Sequence, residues 1–147
     1  MKNISLIAFD LDGTILDGRK NISEHTLEVL SRCSQKGIWI VPATGRAVDG
    51  IPKKVQEIPG IRYAITTNGG AVVDLDTRKV LKSCVLSNAT VLELMGILKK
   101  YHAMYDPYIN GRGISQPAFI EHMDNYGIEP AIQKMIRETR YIVPDTE

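Results

Sequence analysis

Residues 4–14 read Ile4-Ser-Leu-Ile-Ala-Phe-Asp-Leu-Asp-Gly-Thr14, and this stretch decides the fold class. Its first six residues are a short apolar run that meets a polar turn, a pattern typical of a buried strand. Asp10 and Asp12 follow at a spacing of i, i+2, and Gly13 allows the backbone conformations that a tight turn requires. The stretch predicts a strand that brings two carboxylates to its C-terminal end. An acid-rich turn without a function is the other interpretation.

Strands and helices alternate through the residues that follow. Ser23 is a good N-cap for a helix that Gly37 ends. This alternation predicts an α/β fold with a Rossmann-like parallel sheet and right-handed crossovers. The predicted elements are a helix from Ser23 to Gly37, a buried strand at 38–41 closed by Pro42, a helix at 48–57 and a strand at 63–66.

The alternation ends after Gly70. The predicted elements there are strands at 71–74 and 80–86, a helix from Ser87 to about Lys100, an extended segment at 101–109, a turn at 110–113, a helix opened by Glu129 and Pro130, and a strand at 141–143. The first of these helices has an apolar stripe predicted to be core (Val91, Leu94, Met95, Leu98), and the second has one at Ile132, Met135 and Ile136. A boundary near 84–88 therefore predicts two domains, 1–86 and 87–147.

Composition excludes several classes of protein. The 147 residues hold 18 Lys plus Arg and 17 Asp plus Glu, a net charge of +1, which gives no basic surface for nucleic acid or membrane. No apolar run is long enough for a transmembrane helix or a signal peptide, so we expect a cytoplasmic protein. Cys33 and Cys84 match no metal spacing, which favours reduced, mostly buried thiols.

Polar residues follow the second and third strands as well. The second strand ends at Ala43-Thr44-Gly45-Arg46 and the third at Thr67-Asn68-Gly69-Gly70. Ligands of parallel α/β sheets bind outside the carboxyl ends of the strands, so we expect these residues to meet Asp10 and Asp12 at one edge. Thr44-Gly45-Arg46 alone is typical of an ordinary turn, and so is Asn68-Gly69-Gly70. Only their positions at the ends of successive strands indicate a site.

This set of residues suits phosphoryl transfer. A carboxylate at Asp10 can attack phosphorus and form an aspartyl-phosphate, while Asp12 protonates the leaving oxygen and later activates water. Mg²⁺ would offset the repulsion between carboxylate and phosphate. Thr44, Gly45 and Arg46 offer a hydroxyl, an accessible backbone and a fixed positive charge to the phosphate.

The three motifs together resemble the haloacid dehalogenase superfamily, and most of all its Cof-like sugar phosphatases. The resemblance implies a nucleophile at Asp10, a general acid/base at Asp12 and phosphate binding at Thr44, with Asn68 on the substrate side. It also implies Mg²⁺ held by the Asp10 side chain and the Asp12 backbone carbonyl. Residues 1–86 would form part of the core of this fold, and residues 87–147 the start of an α/β cap domain.

The chain departs from the family pattern in its second half. The family has a later Lys and an acidic Gly-Asp-x-x-x-Asp loop. The loop is not found here, and the late lysines Lys99, Lys100 and Lys134 fall on helices that resemble those of the cap. We therefore expect a chain that ends inside the cap, as a fragment of a longer phosphatase. A short relative that only binds is one alternative, and a second chain that supplies the missing part is another. An incomplete sheet would leave the first strand with a bare edge, which predicts self-association.

The function predicted from the sequence is a Mg²⁺-dependent phosphatase of small phosphorylated metabolites, with an aspartyl-phosphate intermediate. The alternative is a non-catalytic fragment that binds phosphate and Mg²⁺ or another protein. A phosphoacceptor signalling domain is disfavoured, because its acceptor Asp would stand at the end of the third strand, where this chain has Thr67 and Asn68.

Overall fold

The computed structural model describes residues 4–101, 105 and 107–144. The chain divides into two compact units, one up to Val85 and one from Leu86 onward. Each unit mixes strands and helices, so the predicted α/β class is confirmed. None of the helices in the described ranges has the length and apolar character needed to cross a membrane.

The first unit contains a sheet whose first three strands are parallel. β1 pairs with β2 in parallel, with Leu6 opposite Trp39, and β3 lies parallel to β2 through the bridge from Ala43 to Ile65. Two antiparallel strands extend the sheet beyond β3. The strands that the structure describes in this unit are β1 (Leu6–Phe9), β2 (Trp39–Pro42), β3 (Tyr63–Thr66), β4 (Ala71–Asp74) and β5 (Val80–Ser83).

The helix after β1 follows its sequence signals. α1 (Glu24–Gln35) begins at Ser23, whose hydroxyl accepts a hydrogen bond from the Thr26 amide at 3.1 Å. It ends before Gly37, whose φ of 77° lies in the left-handed region that favours glycine. On α1, Leu30 is buried in the core and Cys33 is half-buried against it.

The prediction of one continuous helix at 48–57 is wrong. A 3₁₀ turn (Val48–Gly50) comes first, and the short helix α2 (Lys53–Gln56) begins only after Pro52. Proline has no amide hydrogen and favours extended backbone before it, so a continuous helix is interrupted there. The interruption places Val55 in the core, together with Leu11, Leu16, Ile40 and Ile61.

β1 is less buried than predicted. Leu6 is 52% exposed and Ala8 is also exposed, while Ile7 and Phe9 are half-buried against the core. In the described part of the chain, only β2 pairs with β1 and only one face of β1 packs on the core. One face and one edge of this apolar strand therefore meet solvent.

Within its described residues, the second unit contains a small three-stranded sheet, three α-helices and a 3₁₀ turn (Met123–Tyr126). β7 pairs with β6 in antiparallel fashion and with β8 in parallel. The helix that begins at Ser87 and the one that follows Glu129 are confirmed. The elements are α3 (Asn88–Lys100), β6 (Tyr108–Ile109), β7 (Arg112–Ser115), α4 (Pro117–Glu121), α5 (Pro130–Thr139) and β8 (Tyr141–Ile142).

Several details of the second half differ from the predictions. α3 has no buried residue, and Leu94 in its predicted core stripe is exposed, because few described residues pack against that helix. On α5 only Ile136 is buried, since the other two residues of its stripe face outward. The predicted turn at 110–113 gives way to β7 at Arg112, and the sequence did not predict α4. The extended segment at 101–109 lies partly outside the described residues.

The cysteines also differ from their prediction. Cys84 is exposed and Cys33 is half-buried. Cys84 follows β5, all of whose residues are exposed, so no core covers it.

Candidate active site

Three loops converge at the carboxyl ends of β1, β2 and β3. The Ala43 amide donates to the Phe9 carbonyl at 2.8 Å, which joins the end of β2 to the end of β1. The Asn68 amide donates to the Thr44 carbonyl at 3.2 Å, which joins the loops after β3 and β2. The structure thus brings together the strand ends that carry the residues predicted to form the site.

The turn after β1 presents Asp10 and Asp12 on either side of a buried leucine. Leu11 is fully buried, and its carbonyl accepts a hydrogen bond from the Leu16 amide at 2.8 Å. Both aspartates are exposed, and the Thr14 hydroxyl donates to Asp10 Oδ2 at 3.1 Å. The anchored leucine therefore fixes the turn while the two carboxylates face solvent.

The Asp12 carboxylate is held by two cations. Arg46 donates from Nε to Oδ2 at 2.7 Å and from Nη2 to Oδ1 at 2.8 Å. Lys20 donates from Nζ to Oδ1 at 2.7 Å. Asp12 thus uses both oxygens in charge-assisted hydrogen bonds.

These contacts change the acidity of the pair. The hydrogen bond from Arg46 and the neighbouring Lys20 hold the pKa of the Asp12 carboxyl well below its usual range, although partial burial acts in the opposite direction. The same hydrogen bond raises the pKa of Arg46. Asp12 is therefore ionised at neutral pH in this geometry.

The loops after β2 and β3 are packed closely against each other. Thr44 is only 5% exposed, and its hydroxyl accepts a hydrogen bond from the Arg46 amide at 3.2 Å. A Cβ atom on Gly45 would lie 2.7 Å from Asn68 Oδ1, so a side chain there would displace Asn68. Asn68 itself has a φ of 54°, a conformation that asparagine tolerates better than most residues.

The oxygen atoms near Asp10 fit a magnesium ion in part. In the stretch that the structure describes, no group donates to Asp10 Oδ1 or to the Asp12 backbone carbonyl, and hard oxygen ligands are those that Mg²⁺ prefers. The described residues contain no cluster of three acidic, His or Cys side chains that could hold a metal. A Mg²⁺ ion that keeps several water ligands fits these two oxygens.

Sequence reasoning missed one residue of this constellation, Lys20. It lies on the turn at 17–21, eight residues from Asp12, and no spacing rule links the two. A cleft of about 540 Å³ opens beside this turn and is lined by Gly13, Thr14, Asn21 and Thr26 among others.

Comparisons with known proteins identify the family. The sequence model of the haloacid dehalogenase-like hydrolases matches residues 7–141. The pyridoxal phosphate phosphatase YbhA of Escherichia coli is 30% identical over 97 residues, which are 66% of this chain and 36% of that protein. The 5-amino-6-(5-phospho-D-ribitylamino)uracil phosphatase YcsE of Bacillus subtilis is 27% identical over 100 residues, 68% of this chain and 39% of that protein.

Solved structures share the fold. The phosphatase BT1666 from Bacteroides thetaiotaomicron superposes with a TM-score of 0.68 at 21% identity, over 93% of this chain and 53% of that one. The chain thus spans about half the length of this structure. It spans a little over a third of the length of the two curated relatives, at 36% and 39%.

Proposed function

The chain belongs to the haloacid dehalogenase-like hydrolases, and on that premise we propose that it carries the catalytic aspartates of a Mg²⁺-dependent phosphatase. Its substrates are small phosphorylated metabolites, as the names of YbhA and YcsE state for those relatives. The first unit supplies the catalytic residues, and the second unit is the beginning of a cap domain.

One observation supports this proposal above the others. Asp10 and Asp12 stand on an anchored turn at the end of β1, and the backbone ties that strand end to the loops of Thr44 and Asn68. Parallel α/β sheets bind ligands at this edge, and phosphoryl transfer depends on positioning and electrostatics more than on special chemistry.

Asp10 is the nucleophile in this proposal. An oxygen of its carboxylate bonds to phosphorus, the bond from phosphorus to the leaving oxygen breaks, and that oxygen takes a proton from water, because Arg46 and Lys20 keep Asp12 ionised as a base. Water then attacks phosphorus, Asp12 accepts a proton from that water, the bond from Asp10 to phosphorus breaks, and inorganic phosphate leaves.

The remaining residues bind the phosphate and the cation. The Thr44 hydroxyl, the accessible backbone at Gly45 and the Asn68 side chain surround the phosphoryl oxygens, while the guanidinium of Arg46 contacts Asp12. Asp10 Oδ1 and the Asp12 carbonyl would hold Mg²⁺, which when bound offsets the repulsion between carboxylate and phosphate.

Hydrolysis of an aryl phosphate by the full chain, with and without Mg²⁺, tests the proposal. We expect turnover that EDTA abolishes and that Asp10→Asn removes, because an amide oxygen is a poor nucleophile. Asp49→Asn is the matched control, since Asp49 is exposed and contacts Arg78 away from the turn. Full activity of Asp10→Asn would refute the assignment of the nucleophile.

A second candidate function is binding without turnover. Both oxygens of Asp12 already accept hydrogen bonds from cations, a geometry that suits a carboxylate acting as a base and opposes its acting as an acid. A protein that only binds would show thermal stabilisation by inorganic phosphate that depends on Mg²⁺, together with no hydrolysis.

A further inference from the structure

Arg46 has a geometry that fixes another side chain. Its guanidinium meets Asp12 through two nearly equal bonds of 2.7 and 2.8 Å, which fix the carboxylate in the plane of the fork. Its third nitrogen, Nη1, donates to the Gly50 carbonyl at 2.7 Å. All three nitrogens of Arg46 therefore already have partners within its own unit.

The backbone of Arg46 is held as firmly as its side chain. Its amide donates to the Thr44 hydroxyl at 3.2 Å, and its carbonyl accepts a hydrogen bond from the Thr67 amide at 2.9 Å. The loops after β2 and β3 thus hold the Arg46 backbone from two sides, with its guanidinium fork aimed at Asp12.

Lys20 reaches Asp12 from a separately braced turn. Asp17 Oδ1 accepts hydrogen bonds from the amides of Arg19 at 2.8 Å and Asn21 at 2.7 Å. Lys54 donates to Asn21 Oδ1 at 3.2 Å and ties the turn to α2. Lys20 has a φ of 61°, a left-handed conformation that is uncommon for lysine, so the turn holds this residue in place against its preference.

We propose that Arg46 and Lys20 are positioning residues that hold the Asp12 carboxylate in one orientation, and that Arg46 is not a ligand of the substrate phosphate. The proposal rests on the proposed function for its catalytic consequence, whereas the contact itself does not depend on turnover. It reassigns Arg46, which the sequence places with the phosphate-binding residues, because three of its five N–H groups are already directed at Asp12 and Gly50.

The contact is tested first by NMR of the arginine side chains in the full chain. The Arg46 Nε–H signal is expected to be shifted and slow to exchange in the wild type, and to lose both properties in Asp12→Asn. The Arg62 Nε–H group, which donates to Asp74 at 3.1 Å, serves as an internal reference that Asp12→Asn leaves unchanged. An Arg46 signal that is insensitive to Asp12→Asn would overturn the proposal.

Steady-state kinetics on an aryl phosphate then separates positioning from phosphate binding. Arg46→Lys keeps the charge and loses the fork, so we expect kcat to fall by about tenfold or more while KM stays within about twofold. Lys20→Met should lower kcat by a smaller factor, again at nearly constant KM. Arg19→Met is the matched control, since it removes a cation from the same turn and leaves the hydrogen bond from Lys20 to Asp12 in place.

Two kinetic outcomes would overturn the proposal. One is a raised KM with unchanged kcat in Arg46→Lys, which would make Arg46 a phosphate ligand. The other is an equal fall in kcat in Arg19→Met and Lys20→Met, which would show that Lys20 acts only through its positive charge and not through its hydrogen bond to Asp12. Absence of turnover in the wild type refutes the proposed function instead, and the NMR comparison then decides by itself whether the contact exists.

Discussion

Arg46 and Asp12 are 34 residues apart in the chain, yet they form a two-pronged ion pair of 2.7 and 2.8 Å at the end of the parallel strands. The pair joins the turn after β1, which carries the predicted catalytic residues, to the loop after β2, which carries residues predicted to bind phosphate. Lys20 adds a third hydrogen bond at 2.7 Å. The loop geometry of the site therefore depends on charge as well as on backbone packing.

Asp12→Asn should lower stability in a way that depends on pH. Because the pKa of Asp12 is lowered in the folded chain, its stabilisation is complete above the unfolded pKa of about 3.9 and is lost as pH falls through the lower, folded pKa. Solvent screens this exposed group, so we expect a loss of about 1 kcal/mol at pH 7. Urea unfolding at several pH values should show the difference from wild type shrinking below about pH 4.

A matched acidic residue makes that measurement specific. Asp49→Asn breaks a longer, more exposed contact with Arg78 at 3.4 Å and should cost less than about 0.5 kcal/mol at pH 7. A difference between Asp12→Asn and wild type that is the same at pH 3 and pH 7 would contradict the prediction.

Thr44→Val should lower turnover and stability together. Valine has nearly the shape of threonine, but it leaves the Arg46 amide without its acceptor, at a cost of about 1 kcal/mol. The proposed function adds the loss of a phosphate-binding hydroxyl, for which we expect kcat/KM to fall by about 10²-fold. Thr44→Ser keeps the hydroxyl and should retain most of the activity, whereas equal losses in both variants would argue against the role of the hydroxyl.

Gly60→Ala should destabilise the first unit more than Gly69→Ala. The two glycines have nearly equal φ values of 89° and 90°, so alanine meets the same backbone strain of about 1 kcal/mol at each. A Cβ atom on Gly60 would also lie 2.5 Å from Ser34 Cβ, whereas nothing lies within 4 Å at Gly69. Overpacking should therefore add about 1–3 kcal/mol at Gly60 alone, measured by urea unfolding. Equal losses at the two sites would show that Ser34 moves aside freely.

The open edge of β1 predicts that the chain associates with itself. Leu6 is 52% exposed on a strand that, in the described residues, pairs on one side only. Sedimentation velocity over micromolar to millimolar concentrations should show association that Leu6→Lys weakens, because a charge on an edge strand opposes pairing. Leu92→Lys is the control, since Leu92 is 70% exposed on α3, where the backbone is already hydrogen-bonded. A monomer at every concentration would contradict the prediction.

The sequence was sufficient for elements with local signals. The serine cap of α1, the proline that opens α5 and the parallel strands of the first unit were all predictable, because caps, turns and apolar runs depend on neighbouring residues. Burial was predicted less well, as at Leu94 and Leu6. A residue's exposure depends on what packs against its element, and periodicity shows only which residues share a face.

Part of the candidate site was likewise predictable from the sequence, and part was not. The sequence by itself determined that Asp10, Asp12, Thr44 and Asn68 follow consecutive strands of an α/β sheet. Strands and the turns after them can be recognised from residues that are neighbours in the chain. Only the tertiary structure decided that the Arg46 guanidinium contacts Asp12 and Gly50, and that Lys20 joins it. Such pairings depend on side-chain distances between separate loops, and those distances are set by the packing of the core between them.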